Sequence, residues 1–439
     1  MKIRGLVIAA VVFFILAGIL YWSEHRKPAD DTVKASADTP PAILKLDSSS
    51  ITKLDLKKKN AETVVLTKAE SGKWLITQPK PYGADQDVVS SMLSTLSSLN
   101  SERLVEDKAS DLKPYGLDQP VLELDITEKS NKTQKLLMGD DTPTGSAVYA
   151  MLAGDPRVFT VASYTKNSVD KSLNDVRDKR LLTVNSDKIS RLEIVRKGQS
   201  VEFGRNKDEW QILKPKPLRA DASEVGELVR KLTDAKMNLG VADPKTDNAA
   251  FAHATMLATA KVTDESGTQA LEVRKDKGTY YAKSSKVEGA YKIDADLGKA
   301  LAKGLDAFRG KKLFDFGYAD PGKLEIHSGS RAYFLTRSGE DWWSNGKKMD
   351  ADSVQSLVSK LRDLTADRFP KSGFANPTIE ASVTSEDGKR VEKVQIAKSG
   401  DGYVAKRENE PALYHLSSSS IDDVQKAADE IKPAAPPRK

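Results

Sequence analysis

The residues that could do chemistry are few and far apart. Histidine occurs four times, at His25, His253, His327 and His415, each isolated in sequence. None forms the His-Glu-x-x-His pattern that places two zinc ligands and a base on one helix face. No Gly-x4-Gly-Lys-Ser/Thr stretch is present to cradle a phosphate, and no Gly-x-Ser-x-Gly elbow to present a serine. Cysteine is absent, which excludes disulfides, a lipoprotein anchor, thiolate metal sites and a thiol nucleophile. Gly139-Asp140-Asp141 offers the clustered carboxylates that hard cations take, but lacks the alternating ligands of a calcium loop. It reads as a solvated hairpin turn. The run Ser417 to Ser420 reads as a cap or linker. Cations recur at Arg177, Lys179 and Arg180 and again at Arg309, Lys311 and Lys312. They could meet lipid head groups or cell-wall polymers, or simply complement the negative end of a helix. The sequence thus assigns no catalytic, cofactor-binding or metal-ligating residue, and no enzyme activity is expected.

What the chain does carry is a unit written twice. Trp74-Leu75-Ile76-Thr77-Gln78-Pro79-Lys80-Pro81-Tyr82-Gly83-Ala84-Asp85 returns as Trp210-Gln211-Ile212-Leu213-Lys214-Pro215-Lys216-Pro217-Leu218-Arg219-Ala220-Asp221. Prolines cannot continue a sheet ladder, so they end the strand that carries the Trp. Asp85 and Asp221 stand where an N-cap belongs, with Glu224 placed to complete a capping box on Asp221. Apolar residues then fall at Val89, Met92, Leu93, Leu96 and Leu99 in one copy, and at Val225, Leu228, Val229, Leu232 and Ala235 in the other. That spacing is one buried stripe of a helix. A third copy is found by register: Asp350 precedes Val354, Leu357, Val358, Leu361 and Leu364, with Trp342-Trp343 upstream and Gly346-Lys347-Lys348 in place of Pro-Lys-Pro. Gly116-Leu117-Asp118-Gln119-Pro120 likewise parallels Gly373-Phe374-Ala375-Asn376-Pro377, each leading into an alternating strand. Trp74 and Trp210 read as core residues and the three Asp as caps. A period of roughly 130 residues suits a small domain rather than a solenoid.

The 439 residues carry a net charge of +6 within abundant charges of both signs, which suits a soluble surface and does not point to nucleic acid. Met1 to Trp22 is strongly apolar after Lys2 and Arg4, closes on Tyr21 and Trp22, and is about 20 residues long, enough to cross a bilayer. No small-x-small cleavage site follows the apolar core closely, so an uncleaved anchor is expected, with the N-terminus cytoplasmic and the bulk exported. The expected organisation is α+β: an N-terminal transmembrane helix, then tandem repeated domains, each with antiparallel strands and a packed amphipathic helix. In residues, this gives an anchor over 1–27, a flexible linker over 28–42, repeat domains over 43–185, 186–316 and a divergent 317–432, and a disordered tail over 433–439. A helix is expected from Ser163 to Leu173, and a last one from Ser420 to Ile431, capped by Ser419 or Ser420.

The Trp–Pro–Ala-Asp–helix unit, with Tyr115-Gly116-Leu117-Asp118-Gln119-Pro120, Leu137-Met138-Gly139 and Val148-Tyr149-Ala150, resembles the bacterial domain of unknown function 4340 family. The resemblance covers most of residues 43 to 310 and, more weakly, the third unit. It implies a single membrane anchor, a bacterial inner-membrane location with the folded part periplasmic, and association with ABC-2 or gliding-type permease and ATPase subunits. It carries over no functional residues.

Together these readings give a non-catalytic, membrane-anchored extracytoplasmic accessory or scaffold protein of an ABC-type transport complex. The alternatives are an envelope binding protein for an anionic polymer or lipid, motivated by the cations at the unit ends, and an envelope hydrolase whose site assembles from distant residues.

Overall fold

The computed structural model describes residues 42–206, 209–239, 244–385 and 388–435. The expected anchor and almost all of the expected linker lie outside the described residues. Among the described residues no helix is long and apolar enough to cross a membrane.

The chain divides into two compact units, one ending at Asp178 and one beginning at Lys179. The first holds a nine-stranded sheet; the second holds two eight-stranded sheets. All are antiparallel and follow one plan. In the first unit Ile51–Lys58, Val64–Lys68, Trp74–Gln78 and Tyr82–Gly83 form a meander. The helix Gln86–Ser97 follows. Leu122–Glu128 then pairs with the free side of Ile51–Lys58 and starts a second meander through Thr133–Asp141, Ala147–Leu152 and Val158–Ala162. Arg103–Glu106 adds an edge strand, and the helix Ser163–Val169 packs beside the first helix. The plan recurs from Arg191–Arg196 to the helix Ala295–Ala302, and again from Lys323–Ser328 to the helix Ser418–Asp429. Mixed α+β architecture with repeated sheets and eight α-helices among the described residues therefore holds.

Alternation fixes the register. Leu54 pairs with Ile126, Leu192 with Val262 and Leu324 with Val383, at the same place in each sheet. All six side chains are buried, because a period of two puts every second residue on the helix-covered face. The helix stripes seal that face: Val89, Met92, Leu93 and Leu96; Val225, Leu228 and Leu232; Val354, Leu357, Val358 and Leu361. In the second copy Val229 is only partly buried. Opposite faces carry ion-pair ladders. Lys57 reaches Glu123 and Asp125 at 2.7 Å each, and Glu202 meets Arg191 at 2.7 Å and Lys214 at 2.8 Å.

Each repeat closes on itself through the backbone. The Asp85 N–H donates to the Val176 carbonyl, Asp221 to Phe308 and Asp350 to Lys432. In return Asp178, Gly310 and Ala434 donate to the carbonyls of Gly83, Arg219 and Lys348. Segments that open each core pair just after its first helix, Ile43 with Leu99, Leu181 with Ala235 and Leu313 with Leu364.

These closures explain several departures from expectation. The three caps form, Asp85 accepting from Asp87 and Val88, Asp221 from Ser223 and Glu224, and Asp350 from Ser353. The expected capping box on Asp221 does not: Phe308 has taken the Asp221 N–H, and the Glu224 carboxylate pairs with Lys303 at 2.5 Å. Pro433 and Ala434, expected in a disordered tail, are tied to Met349 and Lys348. The Ser163 helix stops at Val169, and Ser172 starts a separate turn, Leu173–Val176, with its own capping box. Ser417, not Ser419 or Ser420, caps the last helix, its hydroxyl accepting from the Ser420 N–H at 3.2 Å. Gly139-Asp140-Asp141 ends a strand rather than forming a hairpin turn. Gly139 is required there, since a Cβ would lie 2.0 Å from the Tyr115 carbonyl oxygen.

Candidate functional site

The two written-out Trp units meet different fates. Trp74 is buried, locked by Gln86, whose Oε1 accepts from the Trp74 N–H and whose Nε2 donates to the Trp74 carbonyl, both at 2.9 Å. In the second repeat that helix position is Ala222, and nothing clamps the strand in the same way. Trp210, expected in the core, is only partly buried. In the third, Trp342 takes the core position while Trp343 stands 39% exposed.

Trp210 lies in a cleft of about 510 Å³ within the second unit. One wall is the second repeat's Trp–Pro–Lys–Pro hairpin, including Trp210, Pro217 and Arg219. The other is the third repeat's turn from Asn409 to Ala412. Its polar floor is built around Glu410. Arg407 Nε donates to Glu410 at 2.7 Å, the Tyr414 hydroxyl donates at 2.5 Å, and Arg219 Nε stands 3.6 Å away. Arg219 also donates to the Lys312 carbonyl.

Behind it, Arg407 is 9% exposed and spends its remaining donors on the Leu313 carbonyl and on Glu392 at 2.9 Å. Burial pulls the Arg407 guanidinium's pKa down, but Glu410 and then Glu392 outweigh it, so it sits above its ordinary value. Burial lifts the Tyr414 phenol, with Arg219 opposing and Glu410 adding to the rise. Arg219 and Arg407 thus face Glu410, and the walls mix apolar side chains with Glu209, Gln211, Lys216 and Asn409. Such a cleft offers Trp210, Pro217 and Pro411 as apolar contacts within a polar rim.

The remaining candidates are placed as follows. His25 lies outside the described residues. His253 ends the helix Pro244–His253, and His327 stacks edge-on against Phe334 at 5.3 Å. The fold gives His415 two partners remote in sequence: Nδ1 to Asp367 at 2.8 Å and Nε2 to Arg368 at 2.9 Å. With Arg368 donating to Nε2, Nδ1 carries the proton toward Asp367, and both ring nitrogens are committed. Arg177 lies 4.0 Å from the Tyr82 ring centre and Arg309 lies 3.5 Å from that of Phe369. These two arginines brace the repeat ends by stacking. Among the described residues no group of three or more His, Cys, Asp or Glu is arranged to hold a metal.

A family model described as Domain of unknown function (DUF4340) matches the chain twice, over residues 74–250 and 210–379. The chain belongs to this family. Each DUF4340 match starts at the repeat's Trp and runs into the next repeat, so the family unit is out of step with the sheets. It takes the Trp hairpin and second meander of one repeat and at least the first strands of the next. The second match covers the Trp210 wall of the cleft and ends at Ile379, before the Asn409 to Ala412 turn. No curated protein matches the chain. Two solved structures were aligned: the DNA polymerase III subunit beta from Pseudomonas aeruginosa and a DNA polymerase sliding clamp from Pseudomonas aeruginosa with ligand. Identity is 8% for both, coverage is 86% of this chain and 94% and 93% of those chains, and TM-scores are 0.16 and 0.14. At those scores the alignments carry no structural argument.

Proposed function

We propose that this DUF4340 protein is a non-catalytic accessory or scaffold subunit of an ABC-type transport complex. In this reading Met1–Trp22 tethers it to the bacterial inner membrane with its repeats on the periplasmic side. The cleft at Trp210 receives a segment of a partner subunit. The observation that carries the reading is the contrast between Trp74, clamped by Gln86 in its core, and Trp210, only partly buried between two repeats. A large, partly buried ring with Arg205 6.0 Å from its centre, sharing a cleft with Pro217 and Pro411, is the kind of anchor around which protein interfaces form. The anchor and the ABC partners rest on the apolar N-terminal run and on the family resemblance. Of the cations that motivate the charged-polymer alternative, Arg177 and Arg309 are engaged in stacking.

The test is co-purification of permease and ATPase subunits with the full-length protein under native expression. Trp210→Ala is expected to lose them while Trp343→Ala, an exposed ring elsewhere, keeps them. Retention of partners by Trp210→Ala at parental levels overturns the placement of the interface. Failure to recover either subunit with the parent overturns the transport assignment itself.

A further inference from the structure

The third repeat is hollow where its last helix meets its first hairpin. A cavity of about 180 Å³ lies between the sheet and the helices Ala351–Arg362 and Ser418–Asp429. Its interior is apolar, lined by side chains including Phe314, Ile326, Leu361, Ile379, Ile396 and Val424. An apolar cavity of about 150 Å³ accepts a benzene ring. By proportion this one has room for an apolar group of about seven carbon atoms.

The polar groups stand at one end. Arg331 Nη1 donates to both oxygens of Asp429, at 2.6 and 2.5 Å, and the Tyr333 hydroxyl donates to the same carboxylate. Gln425 Nε2 reaches the Ser328 hydroxyl at 3.3 Å. Asp429 is the last residue of its helix, where a negative charge opposes the helix dipole. It is kept there by borrowed donors: Tyr333 first, then Arg331, hold its carboxyl below the usual range. Burial, then the bond to Asp429, raises the Tyr333 phenol. The first two repeats clasp the same helix end differently. Lys58 pairs with Asp170 at 2.6 Å in the first, and Arg196 donates to the Ala302 carbonyl in the second. Only the third brings two donors from one strand, Arg331 and Tyr333, to a single carboxylate at the mouth of this cavity. The Arg331 and Asp429 side chains are 64% and 45% exposed, so their pair exchanges partners at small cost.

We propose that this cavity binds a small amphiphilic monocarboxylate. Its apolar body of six to eight carbons enters between the sheet and the last helix, and its carboxylate replaces Asp429 on Arg331 and Tyr333. Asp429, being half exposed, then turns to solvent. A carboxylate finds two donors at the mouth, whereas an alkylammonium would find Asp429 as its one charged acceptor, so the site discriminates by charge as well as by size.

The experiment is calorimetric titration of the full-length protein with heptanoate, heptylamine, acetate and benzene. Heptanoate is expected to bind at least tenfold more tightly than heptylamine or acetate, and benzene to be taken up weakly. Arg331→Gln, at an exposed position, should weaken heptanoate at least tenfold and leave benzene unchanged. Ala381→Met, which fills the cavity wall, should abolish both. Equal binding of heptanoate and acetate, or undiminished heptanoate binding in Arg331→Gln, overturns the proposal. If Ala381→Met does not fold, absence of benzene uptake by the parent serves as the refuting result for the apolar interior.

Discussion

Arg407 is the strongest single test of how the second unit holds together. It is nearly buried and ties three elements at once: the linker carbonyl of Leu313, Glu392 in the strand Arg390–Ser399, and Glu410 in the turn bordering the cleft. Arg407→Met keeps most of the side-chain volume and removes the charge and its donors. What remains is a Glu392 carboxylate whose side chain is 4% exposed. Removing one partner of a buried ion pair costs about 3–5 kcal/mol, because the other charge is left uncompensated. The lower end, about 3 kcal/mol, is expected here, since Glu392 keeps the Asp315 N–H at 2.9 Å and Arg390 at 3.4 Å. Chemical denaturation of the full-length protein followed by hydrogen exchange measures this. Protection should fall for amides of Arg390–Ser399 and Gly402–Arg407 and stay unchanged for Leu122–Glu128 in the first unit. Adding Glu392→Gln should recover part of the loss, because the two sites share one network and are not additive. An Arg407→Met protein within about 0.5 kcal/mol of the parent, the range of ordinary surface changes, would refute the claim that this arginine joins the linker to the third sheet.

Four shorter expectations follow from the same geometry. Asp221→Ala should cost about 1 kcal/mol, the usual worth of an N-cap, read as a lower melting temperature without loss of partner in still-folded protein. Trp74→Ala should cost about 3–5 kcal/mol as a core truncation and Trp210→Ala clearly less, because its ring is part-open; equal losses in a thermal melt would contradict the burial contrast. Gly139→Ala should destabilise by about 1–3 kcal/mol through overpacking against the Tyr115 carbonyl, measurable as a shift in denaturation midpoint. Glu227, held at about 2 first by Arg230 and then by Lys231, gives stability that is fully present above the ordinary carboxylate range and is lost as pH falls through about 2. A carboxyl NMR titration should find that midpoint, and Arg230→Ala should return it toward the ordinary value.

The parts of the fold that could be read from the sequence are those set within a few residues of one another. Val89, Met92, Leu93 and Leu96 declare a helix by spacing alone, and Asp85, Asp221 and Asp350 declare its start, because both depend on one turn of backbone. The capping box failed for the opposite reason. Its partner group was claimed by Phe308, far along the chain, and no local pattern announces that competition. Gly139 carried a usable signal, since glycine inside a strand pattern points to a close backbone approach as readily as to a turn. The openness of Trp210 depends on two things the repeat itself hides: Ala222 where the first copy has Gln86, and the Asn409–Ala412 turn standing opposite. The Glu410 and Arg331–Asp429 groups were beyond sequence reasoning, since each is assembled from separate elements.

Repetition with divergence is what gives the functional reading its shape. Three copies keep the closing hydrogen bonds, the capped helix and the paired first strands, so the chassis tolerates exchange of whatever does not touch them. The exchanges are not uniform. The first two sheets turn ladders of opposite charges outward, such as Lys57 with Glu123 and Lys261 with Glu193 at 3.1 Å, which are soluble surfaces that need no cover. The third has such pairs too, as Lys323 with Glu325, and also turns out Phe334 and Trp343, 43% and 39% exposed, with His327 beside Phe334. It also holds the hollow interior, the His415 pairings and the turn that faces Trp210. A cavity costs packing energy unless it is filled. The cleft at Trp210 and the cavity beside Asp429 both draw on the third repeat, so variants at Trp210 and Arg331 should separate binding from folding.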